Sequence, residues 1–406
     1  MGIVAEYNPF HLGHRYHIGK SREYARADAI IALISSNFTQ RGEPALLDKL
    51  ARARMALLCG ANLALELPCV FSCRNAGIFA DAAVDTLAQT GIVDCISFGI
   101  ETPDEKKTLF EPMAAVLNDE PPAFKDSLKK FLSTGYSFVQ SRSMALEELI
   151  PGALEILKCP NSNLGLAYIK RILEKKYPME TLSVQRIGAG FHSKTAGCGE
   201  IASASAIRGM ISSGETETAL RFMPESCARI VWNEIKKGHA ALNRDRLWRA
   251  VKQVLIRASA EELSGVAEMR EGLENRMKAC AYLADSLDSF VDMCTSRRYP
   301  RGRIQRYCVH TLLNLRSEQS EKFQKNGPAY IRVLGADETG KELLRMMRGS
   351  ATLPVLSKAG GRMSAYAWEI MRFEKAASEM WETLTESPRK NAESGMFPIL
   401  QSQLND

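Results

Sequence analysis

Short apolar runs alternate with helical stretches over the first hundred residues, and this alternation restricts the fold more than any other feature. The run Ala29–Ile34 is apolar throughout, which is typical of a strand covered on both faces of its sheet. Similar runs at Ile3–Ala5, Leu63–Leu67 and Val93–Phe98 predict three more strands, with helices between them. Strand and helix in this order predict a parallel α/β sheet.

Two helices are expected between the first three strands. Gly13 opens a helical stretch that continues to about Ala27. Pro44 is expected in the first turn of the next helix, and Gly60 is its predicted stop. Because ligands of parallel sheets lie beyond the carboxyl ends of the strands, the turns into these helices are the places to search for function.

The second half of the chain has a different pattern. Residues 102–160 are expected to form a helical insertion, and strand-like sequence returns at Leu182–Arg186. We predict one domain over 1–215 and a mainly helical region over 216–406, with a single strand candidate at Tyr330–Leu334. The expected fold class is therefore α/β, with an N-terminal Rossmann-like parallel sheet and a largely α-helical C-terminal region.

Composition excludes several classes of protein. The chain has 406 residues, of which 45% are hydrophobic and 25% charged, so it contains enough apolar material for a large core. We expect no signal peptide and no membrane span, because no apolar run reaches about 18 residues. The ten scattered cysteines are expected to be small buried residues in a reducing cytoplasm. A net charge of +6 permits a polyanionic partner without requiring one.

The sharpest local signal is His11-Leu12-Gly13-His14, which directly follows the first strand. Gly13 removes the side chain where the backbone must approach a phosphate, and a helix start supplies free N–H groups. His11 and His14 lie one helical turn apart and can donate to phosphate oxygens. Two ordinary polar surface histidines are the alternative, which this context disfavours.

A second signal is Ser203-Ala204-Ser205-Ala206-Ile207-Arg208. Small hydroxyl residues at the start of a helix, with an arginine one turn later, make a second site for an anion. A serine that only caps the helix is the alternative interpretation. The histidine motif earlier in the chain favours the anion site.

Together these segments resemble a known family. Glu6–His17, Phe38–Pro44, Arg186–Ser193, Ser203–Arg208 and Tyr330–Gly335 are similar to the bacterial tRNA(Met) cytidine acetate ligases. That family lies within the HxGH nucleotidylyltransferase superfamily, which is related to the class I aminoacyl-tRNA synthetases. The resemblance spans nearly the whole chain and implies that the N-terminal domain is nucleotidylyltransferase-like.

The resemblance implies a two-step reaction. ATP and acetate would form acetyl-adenylate, and the N4 amine of the wobble cytidine in elongator tRNA(Met) would then take the acetyl group. The implied partners are ATP, acetate and tRNA, in the cytoplasm, with no membrane and no protein partner evident. Mg²⁺ is expected on the triphosphate, although no pair of carboxylates in the sequence marks a metal site.

The resemblance also implies site residues. The ATP-binding segment would comprise Val4, Ala5, Glu6, Tyr7, Asn8, Pro9, Phe10, His11, Leu12, Gly13, His14, Arg15, Tyr16 and His17. Further nucleotide contacts fall on Gly99, Asn161, Arg186, Ile187 and Ser205. His11, His14 and Arg208 would be the catalytic residues that stabilise charge on the phosphates.

Two departures and one ambiguity accompany this assignment. Leu12 stands where family members often have asparagine, and Ser36 stands where glycine is common. Leu12 leaves the phosphate histidines intact, whereas Ser36 could narrow the pocket. Asn163, two positions after Asn161, is an alternative nucleotide contact.

An arginine segment, defined here as residues 297–306, contains five arginines and no acid. We predict tRNA contacts by Arg297, Arg298, Arg301, Arg303 and Arg306. Tyr299 is expected to stack on a base, and His310 to share a helical face with two of the arginines. A solvated charged surface is the alternative.

Other polar residues have weaker interpretations. Gln40, Arg41 and Glu43 follow the second strand, and we prefer a role in holding phosphate or RNA to that of a solvated loop. His192 is equally compatible with a place near the pocket and with a structural role. His239 and His310 are expected to be surface or core residues, because no partner stands near either of them in the sequence.

Two other functions are compatible with parts of the sequence. A small-molecule nucleotidylyltransferase that builds a coenzyme would share the histidine motif, but such enzymes can be far shorter than 406 residues. A binding protein with a degenerate nucleotide site is the third class. The intact His11, Gly13 and His14 disfavour it.

Overall fold

A computed structural model describes residues 1–186, 201–361 and 363–403. Its centre is an eight-stranded sheet. The strands are β1 (Gly2–Ala5), β2 (Ile31–Ser35), β3 (Leu63–Leu67), β4 (Cys95–Ile100), β5 (Glu180–Gln185), β6 (Ile331–Ala336), β7 (Val355–Leu356) and β8 (Ile399–Leu400). They lie in the order β5-β4-β1-β2-β3-β6-β7, and β8 pairs with β6.

The first five strands are parallel, which confirms the predicted α/β class. Strand β6 from the later part of the chain pairs antiparallel with β3, while β7 and β8 run parallel to β6. The described chain after residue 215 therefore contains three strands, whereas the sequence predicted one. Strands β7 and β8 were missed because each is only two residues long and carries no sequence pattern. The division at residue 215 stays a prediction.

Ten helices lie within the first 215 residues that the structure describes. They are α1 (Leu12–Ala25), α2 (Lys49–Leu58), α3 (Cys69–Ser72), α4 (Ala76–Ala88), α5 (Phe110–Asp119), α6 (Pro122–Ser133), α7 (Phe138–Leu149), α8 (Ala153–Lys158), α9 (Pro160–Lys175) and α10 (Ala204–Ser212). A 3₁₀ helix at Asp104–Leu109 precedes α5. The predicted insertion at 102–160 is helical.

Ten further helices follow in the described part of the later chain. They are α11 (Thr216–Leu220), α12 (Glu225–Lys236), α13 (Arg244–Arg257), α14 (Ala260–Ser264), α15 (Leu273–Leu283), α16 (Leu287–Cys294), α17 (Arg301–Leu312), α18 (Ser317–Asn326), α19 (Glu338–Ser350) and α20 (Ala365–Glu382). A 3₁₀ turn at Gln401–Gln403 follows β8. None of the described helices is both long and apolar enough to cross a bilayer.

Helices pack on both faces of the sheet, which explains why the run Ile31–Ile34 in β2 is apolar. Ile31 and Leu33 belong to one hydrophobic cluster, whereas Ala32 and Ile34 belong to another. Because successive side chains of a strand point to opposite faces, neither face of β2 is left for water.

The start of α2 differs from the prediction. Pro44 lies in an extended segment that pairs with Phe38, and the helix begins only at Lys49. Asp48 is the N-cap, and its Oδ1 accepts a hydrogen bond from the backbone N–H of Ala51 at 2.7 Å. The side-chain cap outweighs the preference of proline for a first helical turn.

A buried ionic cluster joins the last long helix to the sheet. Lys49 Nζ lies 2.7 Å from Glu374 on α20 and 2.6 Å from Glu393, and it also contacts Glu66 on β3. Burial raises the pKa of Glu66 well above its usual value, whereas the Lys49 ammonium lowers that of Glu374. The three carboxylates could otherwise hold a metal ion, but the ammonium already supplies their cation.

The nine described cysteines are free thiols, and most are buried. Burial raises the pKa of Cys73 and Cys308 to about 12, so both remain protonated at neutral pH. The sulfur atoms of Cys59 and Cys227 lie 3.4 Å apart. These features agree with the expected role of cysteine as a small buried residue.

Candidate active site

A cavity of about 310 Å³ lies at the carboxyl ends of the central parallel strands. Its walls come from the end of β1, the first turns of α1, the ends of β4 and β5, the start of α9 and the residues that lead into α10. This is the edge at which parallel sheets bind ligands, and it is where the sequence predicted the site.

The two motif histidines stack at the start of α1, with ring centroids 3.7 Å apart. His11 Nδ1 accepts a hydrogen bond from the backbone N–H of Gly13 at 3.0 Å. His14 Nδ1 accepts one from the backbone N–H of His11 at 3.2 Å. A neutral imidazole that accepts through Nδ1 carries its proton on Nε2. Both rings therefore present an Nε2–H donor.

The environment keeps these imidazoles neutral. Burial, with a smaller contribution from the Arg186 guanidinium, lowers the pKa of His11 to about 4. Burial and the neighbouring His11 hold the pKa of His14 well below its usual value. At neutral pH the rings are hydrogen-bond donors without charge, and the positive charge nearby comes from Arg186 and the start of α1.

Gly13 is required by the packing of the motif. A Cβ at this position would lie 2.9 Å from His11 Cε1 and 3.4 Å from Ile201 Cγ2. Any side chain would therefore displace the His11 ring from its cap. The residue type follows from close approach rather than from an unusual backbone angle.

The second predicted anion site also reaches the cavity. Ser203 is the N-cap of α10, and its Oγ accepts a hydrogen bond from the backbone N–H of Ala206 at 3.2 Å. Ser203 and Ala204 line the cavity, while Ser205 is exposed outside it with its Oγ 3.1 Å from Ser203 Oγ. The start of α10 thus adds backbone N–H groups beside the motif histidines.

Arg208 lies outside the cavity lining and contacts the backbone of Asn8, which lines the cavity. Its Nη1 donates to the backbone oxygen of Asn8 at 2.8 Å, and its Nη2 pairs with Glu43 at 3.1 Å. Arg208 does not line the cavity, so its predicted contact with phosphate stays a prediction. In this structure it supports the turn that precedes the histidines.

The loop after β2 forms one rim of the cavity, where Gln40 and Arg41 lie. Glu6 Oε1 accepts a hydrogen bond from the backbone N–H of Gln40 at 2.8 Å. Burial raises the pKa of Glu6 above its usual value, and Gln40 and the nearby arginines oppose that rise. Glu6 is the one carboxylate among the described residues of the lining. The described lining thus provides a single carboxylate, too few to hold Mg²⁺ by side chains alone.

Most of the predicted ATP-binding residues line the cavity. They are Val4, Ala5, Glu6, Tyr7, Asn8, His11, Gly13, His14, Tyr16, His17, Gly99, Asn161 and Arg186. Pro9, Phe10, Leu12 and Arg15 lie outside the lining, and Phe10 is fully buried in the core. Asn161 is in the wall while Asn163 is exposed. Ile187 and His192 lie outside the described residues.

Sequence reasoning missed the apolar wall. Phe79, Phe98, Leu164 and Tyr168 line the cavity from α4, β4 and α9. They belong to buried helix and strand patterns that look like ordinary core. Only the fold reveals that one side of them faces a cavity.

Two of the five arginines in the arginine segment pair with acids from other elements. Arg298 pairs with Glu271, and Arg301 pairs with Asp288 and Asp292. Although the segment 297–306 contains no acid, acids elsewhere in the chain neutralise the charges of Arg298 and Arg301. Arg297 is exposed and forms no ion pair with any described residue.

The predicted base-stacking role of Tyr299 is wrong. Tyr299 is only 7% exposed, its hydroxyl donates to the backbone oxygen of Arg270 at 3.1 Å, and the Arg303 guanidinium lies 5.2 Å from its ring centroid. His310 lies on α17 with Arg303 and Arg306, but it is a buried core residue whose Nε2 lies 2.8 Å from the Cys73 carbonyl oxygen. His239 is half-buried, 3.0 Å from Glu234.

The cavity rim touches the arginine segment at Gly42. This glycine has φ +78°, and a Cβ there would lie 2.3 Å from the backbone nitrogen of Arg306. Beside it, Gln305 Nε2 donates to Glu43 Oε1 at 3.1 Å. The same glutamate pairs with Arg208. The loop after β2 is therefore packed between the cavity and α17.

Comparisons with known proteins agree with this geometry. The family model for HIGH Nucleotidyl Transferase matches residues 1–395. A tRNA(Met) cytidine acetate ligase of Clostridium perfringens is 32% identical over 98% of each chain, and one of Syntrophomonas wolfei is 35% identical over 96% of this chain and 95% of its own. The apo crystal structure of Thermotoga maritima TmcAL matches with a TM-score of 0.89 at 30% identity, covering 98% of each chain. A second crystal structure of that protein, bound with alpha-thio ATP, matches equally well.

Proposed function

This chain belongs to the tRNA(Met) cytidine acetate ligase family, and we propose that it uses ATP and acetate to acetylate the N4 amine of the wobble cytidine in elongator tRNA(Met). The observation that carries the proposal is the pair of Nε2–H donors that His11 and His14 present in the cavity. The alpha-thio ATP in the Thermotoga maritima structure supports a nucleotide in this cavity.

In the first step an acetate oxygen attacks the α-phosphorus of ATP, the bond to the bridging oxygen breaks, and pyrophosphate leaves. Negative charge grows on the departing phosphate oxygens. His11 and His14 donate to these oxygens, and the start of α10 adds backbone N–H groups, including those near Ser205. Arg208 has one of two roles. Its guanidinium leaves Glu43 and binds the phosphates, or it stays in place and holds the turn that orients the histidines.

In the second step the cytidine amine attacks the acetyl carbonyl of acetyl-adenylate, and AMP leaves with the electron pair of the broken bond. The amine gives up one proton to water as the amide forms. Holding the amine against the carbonyl supplies much of the acceleration, so no nucleophilic side chain is required. Mg²⁺ would bind the triphosphate before the first step, held mainly by phosphate oxygens and water, and would offset its charge.

The tRNA lies against the arginine segment. Arg297, Arg298, Arg301, Arg303 and Arg306 are the proposed contacts. Packing of Gly42 on Arg306 supports this choice, because it sets the segment next to the rim of the cavity. The N-terminal domain (1–215) would then carry the adenylation chemistry and the region 216–406 would hold the RNA in the cytoplasm.

The proposal is tested by incubating the protein with ATP, labelled acetate and total bacterial tRNA. We expect label in N4-acetylcytidine at the wobble position of elongator tRNA(Met), with AMP released in equal amount. Omitting ATP is the matched control. An adenylylated phosphate-containing small molecule, with no modified RNA, would instead identify a coenzyme-type nucleotidylyltransferase.

A further inference from the structure

Glu101, which follows β4, contacts two residues of the cavity wall. Its Oε1 accepts a hydrogen bond from Asn161 Nδ2 and lies 3.8 Å from Arg186 Nη1. Its Oε2 accepts hydrogen bonds from the backbone N–H of Ser162 at 3.2 Å and from Ser162 Oγ at 3.4 Å. Cys159, the N-cap of α9, provides no side-chain cap. Glu101 therefore caps α9 from the neighbouring strand.

The same contacts fix the orientation of the Asn161 amide. An ionised carboxylate only accepts hydrogen bonds, so it must face the NH₂ group of the amide and not its oxygen. Asn161 lines the cavity, and its Oδ1 is the end of the amide that Glu101 leaves unused. The wall at this point therefore offers an acceptor to a ligand.

The position of Asn161 suits a purine edge. In the proposed function His11, His14 and the start of α10 hold the phosphates. Asn161 and the apolar Leu164 line the cavity from α9, and Phe98, which also lines it, packs against Gly165 of the same helix. A flat apolar ring packs against that wall, and its polar edge then meets the amide. Adenine carries a 6-amino donor at this edge, whereas hypoxanthine carries a 6-oxo acceptor.

We propose that Glu101 is a positioning residue that makes the site select a 6-amino purine nucleotide, because it holds the acceptor oxygen of Asn161 toward the base. The proposal rests on the nucleotide site of the proposed function and adds the origin of its base selectivity. With hypoxanthine, its 6-oxo group would face the Oδ1 of Asn161, so that two acceptors meet and neither is hydrogen-bonded. Such an unpaired buried group discriminates between two nucleotides more strongly than the loss of a single contact does.

Glu101→Gln is the informative variant, because glutamine keeps the shape and has one donor and one acceptor. Its oxygen can take the Ser162 N–H while its NH₂ faces Asn161, which then turns its own NH₂ toward the base. We expect ATP to bind more weakly and ITP more tightly, so that the ratio of their dissociation constants shifts by ~10-fold or more toward ITP.

Calorimetric titration with ATP and with ITP, without acetate or tRNA, measures this ratio. Glu105→Gln is the matched control: it removes the same charge from an exposed site next to the 3₁₀ helix start and should leave the ratio unchanged. Weakening of both nucleotides by the same factor in Glu101→Gln would reduce Glu101 to a cap of α9 and overturn the proposal.

A second variant covers the case in which Glu101→Gln does not fold. Asn161→Ala should reduce the preference for ATP over ITP by ~10-fold, and an unchanged preference would also overturn the proposal. Nucleotide binding is separable from acetylation. Selective ATP binding without acetylated tRNA would therefore contradict the proposed function and leave the role of Glu101 intact.

Discussion

The histidine motif (His11–His14) and the arginine segment (residues 297–306) are both short, polar stretches from which the sequence predicts contact with phosphate. In the structure the histidines cap their own helix and make their hydrogen bonds within four residues of chain. Two of the arginines, Arg298 and Arg301, instead contact acids on other elements, such as Glu271 and Asp288. The role of a motif can be predicted from sequence when its hydrogen bonds form within one helical turn. The role of a charged stretch depends on which distant acids the fold places beside it.

The largest expected effect concerns the histidine motif. His11→Ala or His14→Ala removes one Nε2–H donor from the departing phosphates and should slow acetate-dependent AMP formation ~10²–10³-fold in a single turnover. His239→Ala, which lies beside Glu234 and outside the cavity, is the control and should be normal. Near-normal rates of AMP formation in both motif variants would show that the histidine motif does not stabilise the departing phosphates.

The point where the regions meet gives the next effect. Gly42→Ala combines backbone strain at φ +78° with a Cβ only 2.3 Å from Arg306 N, whereas Gly214→Ala has similar strain at φ +88° and open space. Strain alone should lower the free energy of unfolding by ~1 kcal/mol, and the clash by a further ~1–3 kcal/mol. Urea unfolding of both variants measures the difference. Equal losses would mean that the rim and α17 are not tightly packed.

The next effect concerns how the free energy of unfolding changes with pH in variants of the two regions. The folded pKa of His11 is lowered to about 4, below its unfolded value, so the unfolded state binds more protons between pH 4 and 6.5. Stability should therefore fall as pH decreases through this window, with ~1–2 kcal/mol from His11 at pH 5. His11→Gln should lose less stability between pH 7 and 5 than the parent protein, whereas Arg297→Ala should lose the same amount. Identical losses for all three proteins would contradict the assigned burial of His11.

The smallest effect tests the arginine segment. Arg297 has no acidic partner among the described residues, whereas Arg301 pairs with Asp288 and Asp292. Arg297→Ala should weaken tRNA binding a few-fold and reduce the slope of log affinity against log salt by ~1, and Arg301→Ala should do less. Affinities at two salt concentrations are sufficient. A larger loss for Arg301 would show that RNA displaces its acids.

These differences also explain how much the sequence could predict. Strand β3 was predicted with correct ends, because Leu63–Leu67 is an apolar run bounded by Pro68. The start of α2 was missed, because the prediction relied on Pro44, whereas the side-chain cap of Asp48 sets the helix start. The histidine motif was placed in the cavity because its geometry is set within one helical turn.

The unpredicted features join distant parts of the chain. Glu101 contacts Asn161 across sixty residues, and Lys49 contacts Glu374 across more than three hundred. No spacing rule in the sequence marks such pairs. The burial of Tyr299 was missed for the same reason, because its ring is covered by groups that only the fold brings together.

The central claim is that the cavity at the start of α1 activates acetate at the α-phosphorus of ATP. Exchange of labelled pyrophosphate into ATP tests it most directly, because exchange requires reversible formation of the adenylate. We predict exchange that depends on acetate, proceeds without tRNA and is lost in His14→Ala. Exchange that ignores acetate but requires a phosphorylated small molecule would contradict the account.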